Sequence, residues 1–325
     1  MMEPEELMRA VTVTVNEGRQ RLQLLEQAPP IPTADEVIVA VRAISLNNGE
    51  IRGAFAARAG HRPGWDFAGE VEKVPHGSGF QPGDRVVGLK FEGAWAEKVA
   101  VSTTFLSKIP DHVPFEAAAV LPVAGLTAAI TLSKKALAKG DKILVTAATG
   151  GVGLIAVQLA AAQGADVTAF ARDETDIPLL KRLGANAVVA NPDEAAATGP
   201  YDLILEGVGG RLLGSALSWL APRGVCVQFG DAGGDELTIF DSKAFRLGGG
   251  GAFGGTSLYG FFLIEELTRP GPACAGPLLA DLANRLGFAA LDPVIGRSGS
   301  WKDIDAVARA LLSREFRGKA VLRID

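Results

Sequence analysis

The sequence predicts an α/β protein in which a β-rich domain accompanies a doubly wound parallel sheet. Three observations carry that prediction. At 325 residues the chain corresponds to about two domains of roughly 150 residues each. Up to about residue 110 it is a succession of short β-branched runs broken by glycine and proline. From about residue 140 to 230 strands alternate with helices, the pattern of βαβ units around a parallel sheet.

In chain order, VTVTV at 11–15 and VIVAV at 37–41 are strands, followed by GEVEKV at 69–74, DRVVGL at 84–89 and AEKVAV at 96–101, with HGSG, QPGD and EGA as punctuation. Short strands with such turns predict an antiparallel barrel, closed or partly open. FEAAAVL and GLTAAITLSKKALAKG are alanine-rich and predict helices, the second capped at Gly140. KILVTA (142–147) is a buried strand, VGLIAVQLAAAQ (152–163) a helix stopped at Gly164, DVTAF (166–170) a strand, IPLLKRL (177–183) a helix and AVVA (187–190) a strand. YDLILE (201–206) and VCVQFG (225–230) are further strands, with RLLGSALSWL (211–220) helical between them. Beyond residue 265, IEELTR, 277–287 and WKDIDAVARALLSRE read as helices and KAVLRI as a last strand.

Composition narrows the function. The chain is 48% hydrophobic and 21% charged, which excludes a disordered protein. Its 32 basic and 37 acidic residues give a net charge of −5, against a nucleic-acid or anionic-membrane partner. Cys226 and Cys274 form no CxxC pair, and His61, His76 and His112 no HxxxH cluster, so the soft and imidazole ligands of a zinc site are scarce. The start, MMEPEELM, is acidic and lacks an apolar core, so a cytoplasmic location is expected. The uncharged stretch 247–264 carries seven glycines and 117–133 holds Pro122 and Gly125, so neither is expected to span a membrane.

The sharpest motif is AATGGVG, Ala147 to Gly153, between a strand and a helix. Gly150, Gly151 and Gly153 let the backbone turn tightly and approach a pyrophosphate at the helix N-terminus; the alternative is a tight βα turn with no ligand. The second strand of such a unit ends in Ala171 and Arg172 where an acid would hold the ribose of NAD. A neutral residue and a guanidinium suit a 2′-phosphate, so NADPH is expected, with Asp173 as the residue that would pair with Arg172 or take the NAD role.

The sequence resembles the medium-chain dehydrogenase/reductase superfamily, in its zinc-independent quinone oxidoreductase (zeta-crystallin-like) branch. The resemblance rests on AISLNNGEIRG (43–53), PGWDFAGEV (63–71), FQPGDRVVGL (80–89), GAWAEKVAV (93–101) and EAAAVLPVAGLTA (116–128). It continues through AATGGVGLIAVQLAAAQGADV (147–167), LGANAVV (183–189), LILEGVGG (203–210) and FRGKAVLRI (316–324). It implies a GroES-like catalytic domain, 1–120 and 265–325, interrupted by a Rossmann domain, 121–264, with the active site in the cleft between them. Zinc-dependent members carry a Cys near 43–53 and a His-Glu pair in the PG..FAG stretch; here Ala43 to Asn48 hold no Cys and Trp65-Asp66 replace His-Glu.

By resemblance, the cofactor would be held by Asn47, Thr127, Gly151, Val152, Arg172, Asn191, Val208, Phe229 and Gly230, with Leu258 and Tyr259 flanking the nicotinamide. Asn47 would also be the polar contact to the substrate, though Asn-Asn-Gly reads equally as a turn; Glu50 is read as structural, and Trp65 and Phe55 line either the pocket or the core. Without a Lewis acid the small-molecule electron acceptor must take hydride readily, as quinones and conjugated carbonyls do. Reduction of enoyl or alkenal double bonds is the enzymatic alternative, and a non-catalytic NADPH sensor or structural protein the alternative of another class. A homodimer through the sixth Rossmann strand is expected by resemblance. The glycine-dense group 248–255 is expected to form a mobile loop over the cleft.

Overall fold

The computed structural model describes residues 7–75, 77–248, 254–269 and 275–325. It divides into two compact units, Met1–Leu126 with Pro270–Asp325, and Thr127–Arg269. The expected loop at 248–255 falls at 249–253 outside the described residues, as do His76 and Cys274.

The hub of the first unit is the strand Glu36–Leu46. Asp66–Lys73 runs antiparallel along one edge. The other edge is shared in succession by Lys98–Ser102, opposite residues 36–40, and Lys319–Arg323, opposite residues 43–46. Arg85–Leu89 and Leu106–Lys108 extend the sheet on one side, and Ile295–Ser300 on the other. The path does not close on itself, so the partly open form of the expected barrel is the one found. The expectation of an antiparallel sheet is corrected at one place, because Ile295–Ser300 pairs parallel with Lys319–Arg323; the helix Ile304–Leu312 connects them as a crossover. Met8–Asn16 and Arg19–Gln27 form a separate hairpin. Trp95, Trp301, Phe67 and Ile44 are fully buried in one core, each contributing about 1.5–3 kcal/mol by leaving water.

The second unit is a six-stranded parallel sheet in the order Ala187–Val189, Asp166–Phe170, Lys142–Val145, Tyr201–Glu206, Leu220–Gln228, Ser257–Gly260. Counted along the chain that is 3-2-1-4-5-6, the dinucleotide-binding order, with its switch point between Lys142–Val145 and Tyr201–Glu206. Parallel strands covered on both faces need apolar runs, and KILV and LIL supply them.

Three helix expectations are corrected. The helix expected over FEAAAVL stops at Ala118, and a π-turn at Leu121–Gly125 leads into the second expected helix, Leu126–Leu132. That last helix ends eight residues before Gly140, where Ser133 Oγ turns back to the Ile130 carbonyl at 2.7 Å and Lys134 is drawn to Glu266 at 2.6 Å. The helix expected at 211–220 ends at Ala216, and Leu220 already begins the strand that carries Val225 and Gln228. Phe115–Leu132 is long and apolar enough to cross a membrane, and 72% of it is buried within the protein.

Candidate functional site

The glycine turn sits at the switch point. After the strand Lys142–Val145 the chain passes through Ala147, held at φ 48, whose carbonyl accepts from Gly150 N at 2.9 Å. The helix Gly151–Ala162 starts there with no acid in its first turn, so its leading N–H groups face an open end that suits an anion. Gly153 is dictated by packing: a Cβ would lie 2.4 Å from the Ala147 carbonyl oxygen. The helix can therefore press against the turn only without a side chain.

The opposite rim follows the strand Tyr201–Glu206. Phe229 N donates to the Glu206 carbonyl at 2.8 Å, Ala232 N to Gly207 at 3.0 Å and Gly233 N to Val208 at 2.7 Å. These ties bring Val208, Phe229 and Gly230 together, and Gly207 must be glycine because a Cβ would meet the Phe229 ring at 2.7 Å. Beneath this rim lies a residue that the sequence analysis passed over. Glu206 is 0% exposed, and its carboxylate accepts from Thr146 Oγ1 at 3.1 Å, Val208 N at 2.9 Å and Gly209 N at 2.9 Å. Thr146 Oγ1 in turn accepts from Gly207 N at 2.8 Å, so one carboxylate joins both sides of the crevice. Burial raises the Glu206 carboxyl above its usual range, and the three donors pull against that rise. The signal was present in YDLILE, an apolar strand that ends in an acid.

The remaining expected residues of the second unit lie on its other strands and helices. Arg172 is exposed just beyond the strand Asp166–Phe170, next to buried Ala171. Asp173 Oδ1 accepts from Thr175 N at 3.0 Å and Thr175 Oγ1 at 2.7 Å, capping a short turn. Asn191 caps the helix Pro192–Thr198, its amide engaged at both ends by Glu194. Thr127 is buried in the helix Leu126–Leu132. Leu258 stands 45% exposed on the edge strand. Tyr259 turns its hydroxyl into a cluster: it donates to Glu266, while Lys134 Nζ lies 4.4 Å from its ring centroid and Arg269 reaches its oxygen at 3.2 Å. Burial pulls Glu266 upward, but hydrogen bonds from Lys134 and Tyr259 and the two cations outweigh it and hold the carboxyl below its usual range.

Asn47 belongs to the first unit, where it precedes the helix Asn48–Ala56. Its Nδ2 donates to Glu50 Oε1 at 2.9 Å and to Asp66 Oδ2 at 2.8 Å, and its Oδ1 accepts from Lys319 Nζ at 2.5 Å. Both amide hydrogens are spent inside the protein. Lys319, 3% exposed, also donates to the Leu46 carbonyl at 3.0 Å and Asp66 Oδ2 at 3.2 Å. Asp66 Oδ2 accepts from Ser45 Oγ at 2.7 Å as well, and its Oδ1 takes the Val123 N–H of the π-turn at 2.9 Å. Glu50 Oε2 finds no partner among the described residues. Burial and the Asp66 charge push the Glu50 carboxyl well above the usual range, with Lys319 and Asn47 opposing.

Zinc does not fit this cluster. Among the described residues no three His, Cys, Asp or Glu side chains converge as metal ligands, and the two carboxylates here face an ammonium instead. NADPH fits the crevice of the second unit. The free helix N–H groups suit its pyrophosphate, and the neutral strand end beside exposed Arg172 suits its 2′-phosphate.

An open β-rich unit and a 3-2-1-4-5-6 sheet with a glycine turn at the switch point define a medium-chain dehydrogenase/reductase. Family models agree: residues 33–111 match the alcohol dehydrogenase GroES-like domain and residues 151–267 the zinc-binding dehydrogenase model. The chain is 30% identical to the quinone oxidoreductase of Homo sapiens, over 90% of each chain. It therefore belongs to the quinone oxidoreductase family of these enzymes. It is 25% identical to the acryloyl-coenzyme A reductase of Sulfurisphaera tokodaii, over 97% of this chain and 100% of that one. A mycobacterial protein solved in complex with NADPH superposes with a TM-score of 0.81 at 26% identity, over 97% of this chain and 99% of that one. The chain also matches two polyketide synthases, from Mycobacterium tuberculosis and Streptomyces orinoci, of whose length it spans only 10% and 13%.

Proposed function

We propose that the protein is a zinc-independent reductase that passes hydride from NADPH to a quinone or a conjugated carbonyl compound. The observation that carries this reading is the pairing of a complete dinucleotide crevice with a polar cluster whose cation is the chain's own Lys319. Bound at the switch point, NADPH supplies the hydride. The residues of the chain bind and orient: the first turn of Gly151–Ala162 takes the pyrophosphate, Arg172 the 2′-phosphate, and the rim Gly207–Gly209 with Phe229 and Gly230 the nicotinamide side. An acceptor that spreads charge onto its own oxygen needs no Lewis acid. Enoyl reduction is the second reading, favoured by the acryloyl-coenzyme A reductase similarity along the whole chain.

Steady-state assays with quinones and with α,β-unsaturated carbonyls, with and without chelator, separate these readings. Quinone-dependent NADPH oxidation that survives chelation is expected; activity abolished by chelator overturns the metal-free reading. Arg172→Ala is expected to raise KM for NADPH about tenfold, the worth of one charge-assisted phosphate contact, with little change for NADH. Equal effects on both cofactors would sink the assignment. The reading places the enzyme in the cytoplasm as a homodimer, paired through Ser257–Gly260, which uses one edge on Leu220–Gln228 and exposes Leu258. Light scattering of Leu258→Glu tests the pairing, with a monomer expected and an unchanged dimer counting against it.

A further inference from the structure

We propose that Glu206 is a positioning residue of the cofactor crevice whose negative charge favours the oxidised, cationic nicotinamide over the neutral reduced one. The inference rests on NADPH occupying the crevice and adds a role for a residue that does not contact solvent.

The geometry carries it in three steps. Glu206 ends the strand on the nicotinamide side of the switch point, since Arg172 and its strand Asp166–Phe170 lie on the adenosine side. Its hydrogen-bond partners are a hydroxyl and two backbone N–H groups, all neutral donors that satisfy a carboxylate without cancelling its charge. Both backbone donors belong to Val208 and Gly209, the rim itself. In its ionised form the carboxylate is thus buried, has no cation among its hydrogen-bond partners in the described residues, and is held at the strand end toward which a positive ring would form when hydride leaves. A preorganised charge of this kind stabilises what develops in the transition state without reorganising.

The titratable neighbour is Cys226 on the adjacent strand, and burial together with Glu206 pushes its thiol upward, so it stays neutral. Lys142 sits at the far end of its strand, bonded to the Thr198 carbonyl at 2.9 Å. On Leu220–Gln228 the one cation, Arg223, likewise lies toward the end away from the crevice.

The test is equilibrium titration of the intact protein with NADPH and with NADP+. In Glu206→Gln the dissociation constant for NADP+ is expected to rise roughly tenfold relative to that for NADPH, the effect of one charge felt across a partly solvated crevice. Thr146→Val, which breaks the tie but keeps the charge, is expected to weaken both forms alike. An unchanged ratio in Glu206→Gln, or an equal shift of the ratio in Thr146→Val, overturns the proposal. If Glu206→Gln does not fold, the wild type still decides: the ratio is expected to rise as falling pH protonates the Glu206 carboxyl, which burial moves above the ordinary carboxylate range, because the 2′-phosphate is common to both forms and cancels. A ratio independent of pH overturns the inference. A wild type that binds neither form sinks the NADPH reading itself, a result distinct from any change in the ratio.

Discussion

Glu50 in the first unit and Glu206 in the second are both buried carboxyls that burial pushes upward, yet they are held in opposite ways. Glu50 has a cation nearby, but Lys319 is paired with Asp66, and Glu50 Oε2 has no partner among the described residues. Glu206 has no cation among its hydrogen-bond partners and is satisfied on both oxygens by donors of the turn and the rim. The comparison teaches that donors aimed at both oxygens restrain the upward push of burial on Glu206, whereas the Asp66 charge adds to it on Glu50, which is driven further up. It also sets a charge-built cluster in one unit against a backbone-built crevice in the other.

The sharpest way to break that contrast is Lys319→Met. Removing the ammonium leaves Asp66 buried and unpaired, so a loss of about 3–5 kcal/mol is expected in chemical denaturation, larger at alkaline pH. A loss below about 1 kcal/mol would mean that the cluster is not built on charge. Next comes Gly153→Ala in the other unit, where the new methyl meets the Ala147 carbonyl. About 1–3 kcal/mol of overpacking and weakened NADPH binding are expected, and the stability loss should be the same from acid to alkaline pH. A strong pH dependence of that loss would erase the distinction between the units.

The smallest effect is the most specific. A carboxyl whose value is raised on folding stabilises the native state fully below its unfolded value and loses that contribution as pH rises toward its folded value. Glu50 is raised, so the wild type should lose stability as pH climbs above the ordinary carboxylate range, by at most about 1.4 kcal/mol per pH unit for one proton. Glu50→Gln should flatten that part of the curve; parallel curves of melting temperature against pH for the two proteins would refute the reading of Glu50 as a protonated acid.

The crevice was largely legible in the sequence, because a strand, a glycine turn and a helix are contiguous there and each leaves a local pattern. Ala171 and Arg172 were legible for the same reason. The hairpin strand Arg19–Gln27 was not: most of its residues are at least partly exposed, and RQRLQLLEQ hides its alternation under charge. The helix Asn48–Ala56 is not among the expected elements, where Asn-Asn-Gly reads equally as a turn, although Asn47 followed three residues later by Glu50 is a capping pair, and Asn47 N does donate to Glu50 Oε1 at 2.7 Å. Apart from the Asn47–Glu50 pair, the cluster around Lys319 left no local signal, since its members come from three strands and a helix start and no spacing relates Lys319 and Asp66 to that pair. Asn47 shows why: one of its amide hydrogens goes to Asp66, nineteen residues away on another element.

The separation of Asp66 from Lys319, 253 residues along the chain, bears on synthesis as well as on charge. At about 5–20 residues per second a ribosome takes roughly 13 to 50 seconds to travel that distance. During that interval the early strands Glu36–Leu46 and Asp66–Lys73 exist without the ammonium that later sits between them, and the whole second unit is made and free to fold first. The pairing of Lys319–Arg323 with Glu36–Leu46, and with it the ion pair to Asp66, is open to the first unit only once its last strand has been made.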